Sequence, residues 1–388
     1  MNQRKVIFPK NMLIFKRKIE DQISKTIGSG KILLIFGPRQ AGKTTLAKKL
    51  LAEYGEPSAY FNCEEMAVRE HLVVGVSAKL KELVGSHKLV VLDEAQTVEN
   101  IGAILKLFVD TYPDVQIIAT GSSSFDLANK INEPLTGRAF SFILLPLSLD
   151  EIRSVKKVDQ AELHSIMRFG SYPAIVAEPD EAEKVRILKN ITTSYLYKDV
   201  FTFGQIKSPL HFELLLKLLA HQIGSTVSLS ELAQSIAVSR PTVEKYLRLL
   251  EQAYVIRRVH SFSRNKRNEI RRSFKVFFLD CGVRNAIIND LNAVNGRTDI
   301  GPLFEQLVFA ELTKIASLET LGPDVQFWRT KQGLEIDFVL DRAGDLRAYE
   351  CKWGNDAASF KTFLKLYPDA HTKIVRPDTF LTTTKEEL

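Results

Sequence analysis

Two short stretches hold side chains whose types and spacing could bind and cleave a phosphoanhydride. The first is "GPRQAGKTT", in which Gly37, Gly42, Lys43 and Thr44 meet the spacing G-x-x-x-x-G-K-[ST]. In such a loop the backbone N–H groups of Gly37, Pro38, Arg39, Gln40, Ala41, Gly42, Lys43, Thr44 and Thr45, proline excepted, can turn toward phosphate oxygens. Lys43 is expected on the β- and γ-phosphates and Thr44 on Mg²⁺. The second stretch is "VVLDEAQ". Asp93 there is expected in the shell of the metal and Glu94 as the general base that activates water.

These groups work only if strands deliver them to one edge of a sheet. Ile32 to Phe36 is a continuous apolar run before the glycine loop, and TLAKKLLAEY after it has helical periodicity. Leu89 to Leu92 is a second buried-type strand ending at Asp93-Glu94. A third, "VQIIATGSSS", ends in Thr120, Gly121 and Ser122, with Ser122 the candidate sensor of the γ-phosphate. Farther on, "LTGR" offers Arg138 to γ-phosphate charge in its own or a neighbouring subunit. No N-K-x-D stretch for reading guanine occurs, so ATP is favoured over GTP.

Beyond Asp150 the pattern is helical to about His211 and reads as a lid and connector, with Tyr195, Tyr197, Phe201 and Phe203 as core. In "VSLSELAQSIAVSRPTVEKYLRLLEQAYVIRRV", Ser228 or Ser230 can cap one helix and Ser239 the next, with Pro241 in its first turn. Two helices and a following hairpin describe a winged helix-turn-helix, with Lys245 and Arg248 on the second helix. The hairpin gathers Arg257, Arg258, Arg264, Lys266, Arg267, Arg271, Arg272 and Lys275, a charge density suited to a phosphate backbone and hence to DNA. The competing reading is a protein-binding spacer with a solvated, charge-guarded edge.

The last segment holds "GLEIDFVLDRAGDLRAYECKW", two alternating strands around Ala343-Gly344. A two-residue tip there pairs residues whose numbers sum to 687, so Asp337 faces Glu350 and Glu335 faces Lys352. Opposed carboxylates call for a neutralising cation. Asp337 and Glu350, with Glu305 from the preceding helix and Lys352 beside them, are candidates for a second divalent-cation site of the kind that hydrolyses phosphodiesters. A salt-bridged, solvent-facing sheet is the alternative.

The order of "GPRQAGKTT", "VVLDEAQ", "ATGSSS", "LTGR" with "LLPLSLDEI", the winged helix, "FEQLVFAEL" and "EIDFVL…YECKW" resembles the bacterial and archaeal AAA-type ATP-binding proteins with a C-terminal domain of unknown function. That last domain is similar to the restriction-endonuclease-like PD-(D/E)XK fold. The resemblance implies that Gly37 to Thr45 bind ATP, that Asp93 and Glu94 are the Walker B pair and Arg138 an arginine sensor or finger. It also implies that Asp337, Glu350 and Lys352 are the D…E-x-K set with Glu305 the helix acid. This chain departs from the pattern in carrying E-I-D in place of P-D at the first motif.

The expected fold is thus α/β, a P-loop parallel sheet at 1–150, a helical lid at 151–211, a winged helix at 212–290 and a nuclease-like domain at 291–388. Length and a composition of 45% apolar and 26% charged residues suit several globular domains. The net charge of +7 permits an anionic partner, and no apolar stretch reaches the roughly 20 residues of a membrane span. The cytoplasm is the expected location. Cys63, Cys281 and Cys351 lie far apart and are expected to be reduced thiols. The expected partners are ATP, DNA, and a second copy of the chain or another protein. The function expected is an ATPase whose nucleotide state governs DNA binding or processing. Its rival is an ATP-dependent switch with a protein-binding winged helix and a dead nuclease-like scaffold.

Overall fold

A computed structural model describes residues 13–54, 57–121, 135–193, 206, 208–263, 274–319 and 322–382. The chain divides into two compact units, Met1–Pro146 and Leu147–Leu388. The division falls close to the first boundary expected from the sequence, whereas the boundaries expected at 211 and 290 lie inside the second unit.

The first unit is a five-stranded parallel sheet of β1 (Ile32–Phe36), β2 (Ser58–Asn62), β3 (Leu89–Asp93), β4 (Gln116–Gly121) and β5 (Ala139–Ile143). The strand order is β2-β3-β4-β1-β5. Every residue of β1, β3 and β4 is buried. Unbroken apolar runs rather than alternation are what central strands covered on both faces require. Because β4 lies between β1 and β3, whatever ends β4 stands between the two phosphate-site motifs.

The second unit holds two smaller sheets. Helices Leu149–Arg153, Gln160–Phe169, Pro173–Ala177 and Glu181–Ile191 come first. The first of these starts at a capping box, in which Ser148 accepts from the Glu151 N–H and Glu151 from the Ser148 N–H. The region expected as a lid is built into this unit. Gln160–Phe169 packs against helix Cys281–Ile287, and Asn285 Nδ2 donates to the carbonyls of Met167 and Arg168 at 2.8 and 2.9 Å. Gly282 makes the approach possible, since a Cβ there would lie 2.0 Å from the Phe169 carbonyl oxygen.

There follow helix Pro209–His221, β6 (Thr226–Val227), helices Leu229–Ser235 and Arg240–Gln252, β7 (Ile256–Val259) and β8 (Phe274–Phe278), with the strands antiparallel in the order β6-β8-β7. Ser228 and Ser239 cap the two helices by accepting from the N–H groups of Glu231 and Thr242.

Helix Ile300–Ser317 then leads to β9 (Gln326–Arg329), β10 (Glu335–Arg342), β11 (Asp345–Cys351), helix Lys361–Leu366 and β12 (His371–Val375). The order is β12-β11-β10-β9, antiparallel except for β11 with β12. The hairpin register is the expected one: Phe338 pairs Tyr349 and Arg342 pairs Asp345. Ala343 (φ 54°) and Gly344 (φ 101°) form its two-residue tip, both left-handed as a type I′ turn demands. The long helix is buried almost all round, from Leu303 to Ala316. Its Lys314 donates to the Leu147 carbonyl and to Glu311, and Glu311 accepts from the Leu149 N–H, which fixes the start of the unit to its centre.

The three cysteines are free thiols. Among the described residues no helix is long and apolar enough to cross a membrane.

Candidate functional site

The glycine loop leaves β1 in a conformation that only its glycines permit. Gly37 has φ 149°, and a Cβ there would lie 2.1 Å from the Leu144 carbonyl oxygen. Gly42, at φ 99°, turns the chain into helix Lys43–Glu53. Lys43 is buried and folds back to donate to the carbonyls of Gly37 and Pro38 at 3.0 and 2.8 Å. The loop therefore has its cation in hand, with the first turn of a helix behind it, an arrangement suited to phosphate.

Thr44, one residue along, donates from Oγ1 to Asp93 Oδ2 at 2.8 Å, which joins the loop to the end of β3. Thr120, at the end of β4, donates to Asp93 Oδ1 and accepts from the Glu94 N–H at 3.1 Å. The strand order dictates this meeting, because Thr120 is level with Ile35 of β1 on one side and follows Ala119, the partner of Leu92, on the other. Tyr60, on β2, donates to Asp93 Oδ2 at 2.6 Å. Burial first, then that bond to Asp93, hold the phenol far above its ordinary pKa, so it stays a donor. Among the described residues the Asp93 carboxylate, itself buried, thus collects three hydroxyls and no ammonium or guanidinium hydrogen bond.

Glu94 has left-handed backbone (φ 53°), which turns the chain sharply after β3, and its Oε2 accepts from Gln96 Nε2. Lys43, Thr44, Asp93 and Glu94 are accordingly brought together at the carboxyl ends of β1 and β3, where ligands sit in open parallel sheets. A carboxylate and a hydroxyl beside a phosphate loop are the hard oxygen donors that Mg²⁺ takes. Thr120, Tyr60 and Gln96 were not singled out as site residues from the sequence. Thr120 was legible as the polar end of a strand, but Tyr60 and Gln96 carried no spacing signal.

Two expected members remain. Ser122 lies outside the described residues. Arg138 precedes β5 at the amino edge of the sheet: its carbonyl accepts from the Ile32 N–H, at the start of β1, and its guanidinium pairs Asp110 at 2.8 Å. The phosphate loop follows the opposite end of β1, about 16 Å away at 3.3 Å per strand residue. Arg138 is therefore not at the γ-phosphate position of its own subunit. Strand direction, which a linear motif cannot carry, is the reason.

The C-terminal acids are arranged differently from expectation too. Asp337 Oδ2 accepts from the Cys351 N–H at 2.7 Å, and Lys352 pairs Glu350 at 2.9 Å. Glu335 pairs Lys275 at 2.6 Å rather than Lys352, and Lys275 also bonds Glu305 at 3.1 Å. Lys275 is 2% exposed. It comes from β8, outside the hairpin, so strand pairing around Ala343-Gly344 could not reveal it. Burial works against its charge, but Glu305 and Glu335 outweigh that and hold it protonated. Burial pushes the Glu305 carboxyl up, and burial with neighbouring Glu350 lifts Asp337 to about 6. An internal ammonium thus stands between Glu305 and Glu335, and the Lys352 ammonium is paired with Glu350. Among the described residues no group of three or more acidic, histidine or cysteine side chains is placed to hold a metal ion.

The basic hairpin also loses members. Lys275 is buried, and Arg258 is mostly buried and bonded to Glu244 and Glu251 at 2.7–3.0 Å. Arg257 is half exposed, with Asp324 at 3.8 Å. Arg264, Lys266, Arg267, Arg271 and Arg272 lie outside the described residues, as do Tyr195, Tyr197, Phe201 and Phe203.

Three family models match successive parts of the chain. Residues 29–153 match the family model described as an AAA domain. Residues 160–293 and 300–387 match two domains of unknown function (DUF8612 and DUF4143). An uncharacterized protein of Mycobacterium tuberculosis is 28% identical over 344 residues, covering 88% of this chain and 74% of that protein. Another from Methanocaldococcus jannaschii is 26% identical, covering 88% and 80%. Among solved structures, the Walker-type ATPase PabY2304 of Pyrococcus abyssi aligns with a TM-score of 0.52 at 17% identity, over 73% of this chain and 99% of that one. Sheet order, phosphate loop and family match together make residues 29–153 an AAA-type P-loop domain.

Proposed function

We propose that the N-terminal unit hydrolyses ATP with Mg²⁺ and that its nucleotide state governs DNA engagement by the second unit. The observation that carries the hydrolytic part is the Asp93 carboxylate, which gathers Thr44 from the phosphate-loop helix and Thr120 from β4 within one buried network. Thr44 and Asp93 would hold Mg²⁺, which would supply charge neutralisation at the phosphates. Lys43 leaves the carbonyls of Gly37 and Pro38 for phosphate oxygens. Glu94 takes a proton from the attacking water; the water oxygen bonds to the γ-phosphorus, the bond to the bridging oxygen breaks, and ADP and phosphate leave. Gln96 and Thr120 restrain Glu94 by its side chain and its backbone. Arg138 has a place in this scheme only across a subunit boundary.

The DNA part rests on the second unit. Its helix–strand–helix–helix–strand–strand run reads as a winged helix. Arg240, Lys245 and Arg248 are exposed on the second of the paired helices, and the 264–273 segment adds five basic residues against Glu269. The helix–three strands–helix–strand order after residue 300 supports a nuclease-like fold. The site of Asp337, Glu350, Lys352 and Glu305 favours the second reading, a scaffold rather than a cutting centre, because Glu305 is already paired with Lys275 and Glu350 with Lys352. In that reading the protein is an ATP-driven switch.

The test is ATP turnover by the wild type and Glu94→Gln, with and without duplex DNA. Turnover raised by DNA and lost in the variant is the expected result. Turnover indifferent to DNA favours the switch acting on a protein, and no turnover at all ends the ATPase reading.

A further inference from the structure

Building on that ATPase reading, we propose that Tyr60 is a positioning residue that locks Asp93 so that a divalent cation, or water bound to it, meets only Oδ1. A carboxylate has about four acceptor sites, two on each oxygen. Thr44 at 2.8 Å and Tyr60 at 2.6 Å occupy both on Oδ2, and Thr120 occupies one on Oδ1. Among the described residues one site remains, on Oδ1.

Two of the three donors have other duties. Thr44 owes its oxygen to the cation, and Thr120 accepts from the Glu94 N–H. Tyr60 belongs to neither the phosphate loop nor the Glu94 turn. It reaches Asp93 from β2, whereas Thr44 and Thr120 arrive from elements following β1 and within β4. The carboxylate is therefore gripped from both sides of β3, and without the phenol it could turn about its Cβ–Cγ bond. Tyr60 is itself held, since the Lys48 ammonium lies 4.5 Å above the ring centroid. Such a group raises metal affinity by ordering the ligand beforehand rather than by touching the metal.

Tyr60→Phe keeps the ring and the Lys48 contact and removes only the hydroxyl. The measurement is binding of fluorescent ADP in EDTA and then across a titration of Mg²⁺ or Mn²⁺. The expected result is metal-free affinity within twofold of wild type and about a tenfold rise in the cation concentration for half effect, the scale of one hydrogen bond to a charged group. An unchanged cation dependence overturns the proposal, and so does tighter cation binding, which would make Tyr60 a competitor for the carboxylate. Equal weakening with and without metal assigns Tyr60 to packing alone and also overturns it. Wild type that binds no nucleotide overturns the ATPase reading and this inference together. Wild type that binds Mg-ADP as Tyr60→Phe does overturns the inference only.

Discussion

Replacing Lys275 by Met removes the ammonium that stands between Glu305 and Glu335 and keeps most of its apolar length. Taking one partner from a buried ion pair costs about 3–5 kcal/mol, because the remaining charge is left without compensation. Glu335 is 27% exposed and has Arg329 at 3.7 Å, so the penalty falls chiefly on Glu305, with 15% of its side chain exposed. The lower end, about 3 kcal/mol at pH 8, is the expectation. For a unit of this size that is a fall in melting temperature of roughly 6–12 °C. Both tryptophans, Trp328 and Trp353, lie in the second unit, so their fluorescence follows it without interference from the first. The sign with pH is also fixed. Without Lys275 the folded-state pKa of Glu305 stands farther above its unfolded value, so the folded state binds the extra proton and stability falls as pH rises through that window. The gap between wild type and variant therefore narrows toward pH 5. Lys275→Met with Glu305→Gln recovers about 2 kcal/mol at pH 8, since the stranded charge is gone. A drop below 2 °C, or the same drop at pH 5 and pH 8, would refute the assignment of Lys275 as the counter-ion.

Thr120→Val removes the donor to Asp93 Oδ1 and the acceptor for the Glu94 N–H. ATP turnover should fall about 10- to 100-fold while nucleotide affinity stays within about threefold, a split read from steady-state kinetics beside equilibrium binding. Asp337→Asn should stabilise the second unit above pH 7. The folded carboxyl is lifted from 3.8 to about 6, so the wild type loses stability as pH rises between those values; the lost amount, about 3 kcal/mol at most, is what the neutral amide restores, and Asn Oδ1 can still accept from the Cys351 N–H. Denaturation midpoints at pH 5 and pH 8 check it, and a variant that is less stable at pH 8 contradicts it.

The parts of the fold written in local order were legible. Glycine spacing, apolar runs ending in Asp93-Glu94, and serines ahead of helical periods each depend on neighbours within a few residues, and each appeared where expected. The hairpin register followed from the Ala343-Gly344 tip for the same reason. What escaped depends on which distant element lies alongside. Tyr60 matters because β2 neighbours β3, and Arg138 fails in its own subunit because β5 begins at the edge of the sheet opposite the phosphate loop. Lys275 counted as surface charge in a run of basic residues, yet β8 turns it inward against a helix about thirty residues farther on. Alternation along β8 offers no help, since all five of its residues are buried.

The two acidic sites resolve the same electrostatic difficulty in opposite ways, and the difference bears on function. At Asp93 the hydrogen-bond donors are neutral hydroxyls, which orient the carboxylate without cancelling its charge, so a divalent cation still gains the full attraction on arrival. At Glu305 and Glu335 the donor is an ammonium, which cancels charge in place and must be expelled before any cation gains. Mn²⁺ should therefore leave the thermal stability of the wild-type second unit unchanged and raise that of Lys275→Met. Stabilisation of both alike would mean that a cation binds beside Lys275 rather than in its stead, and would return the C-terminal acids to consideration as a cutting centre.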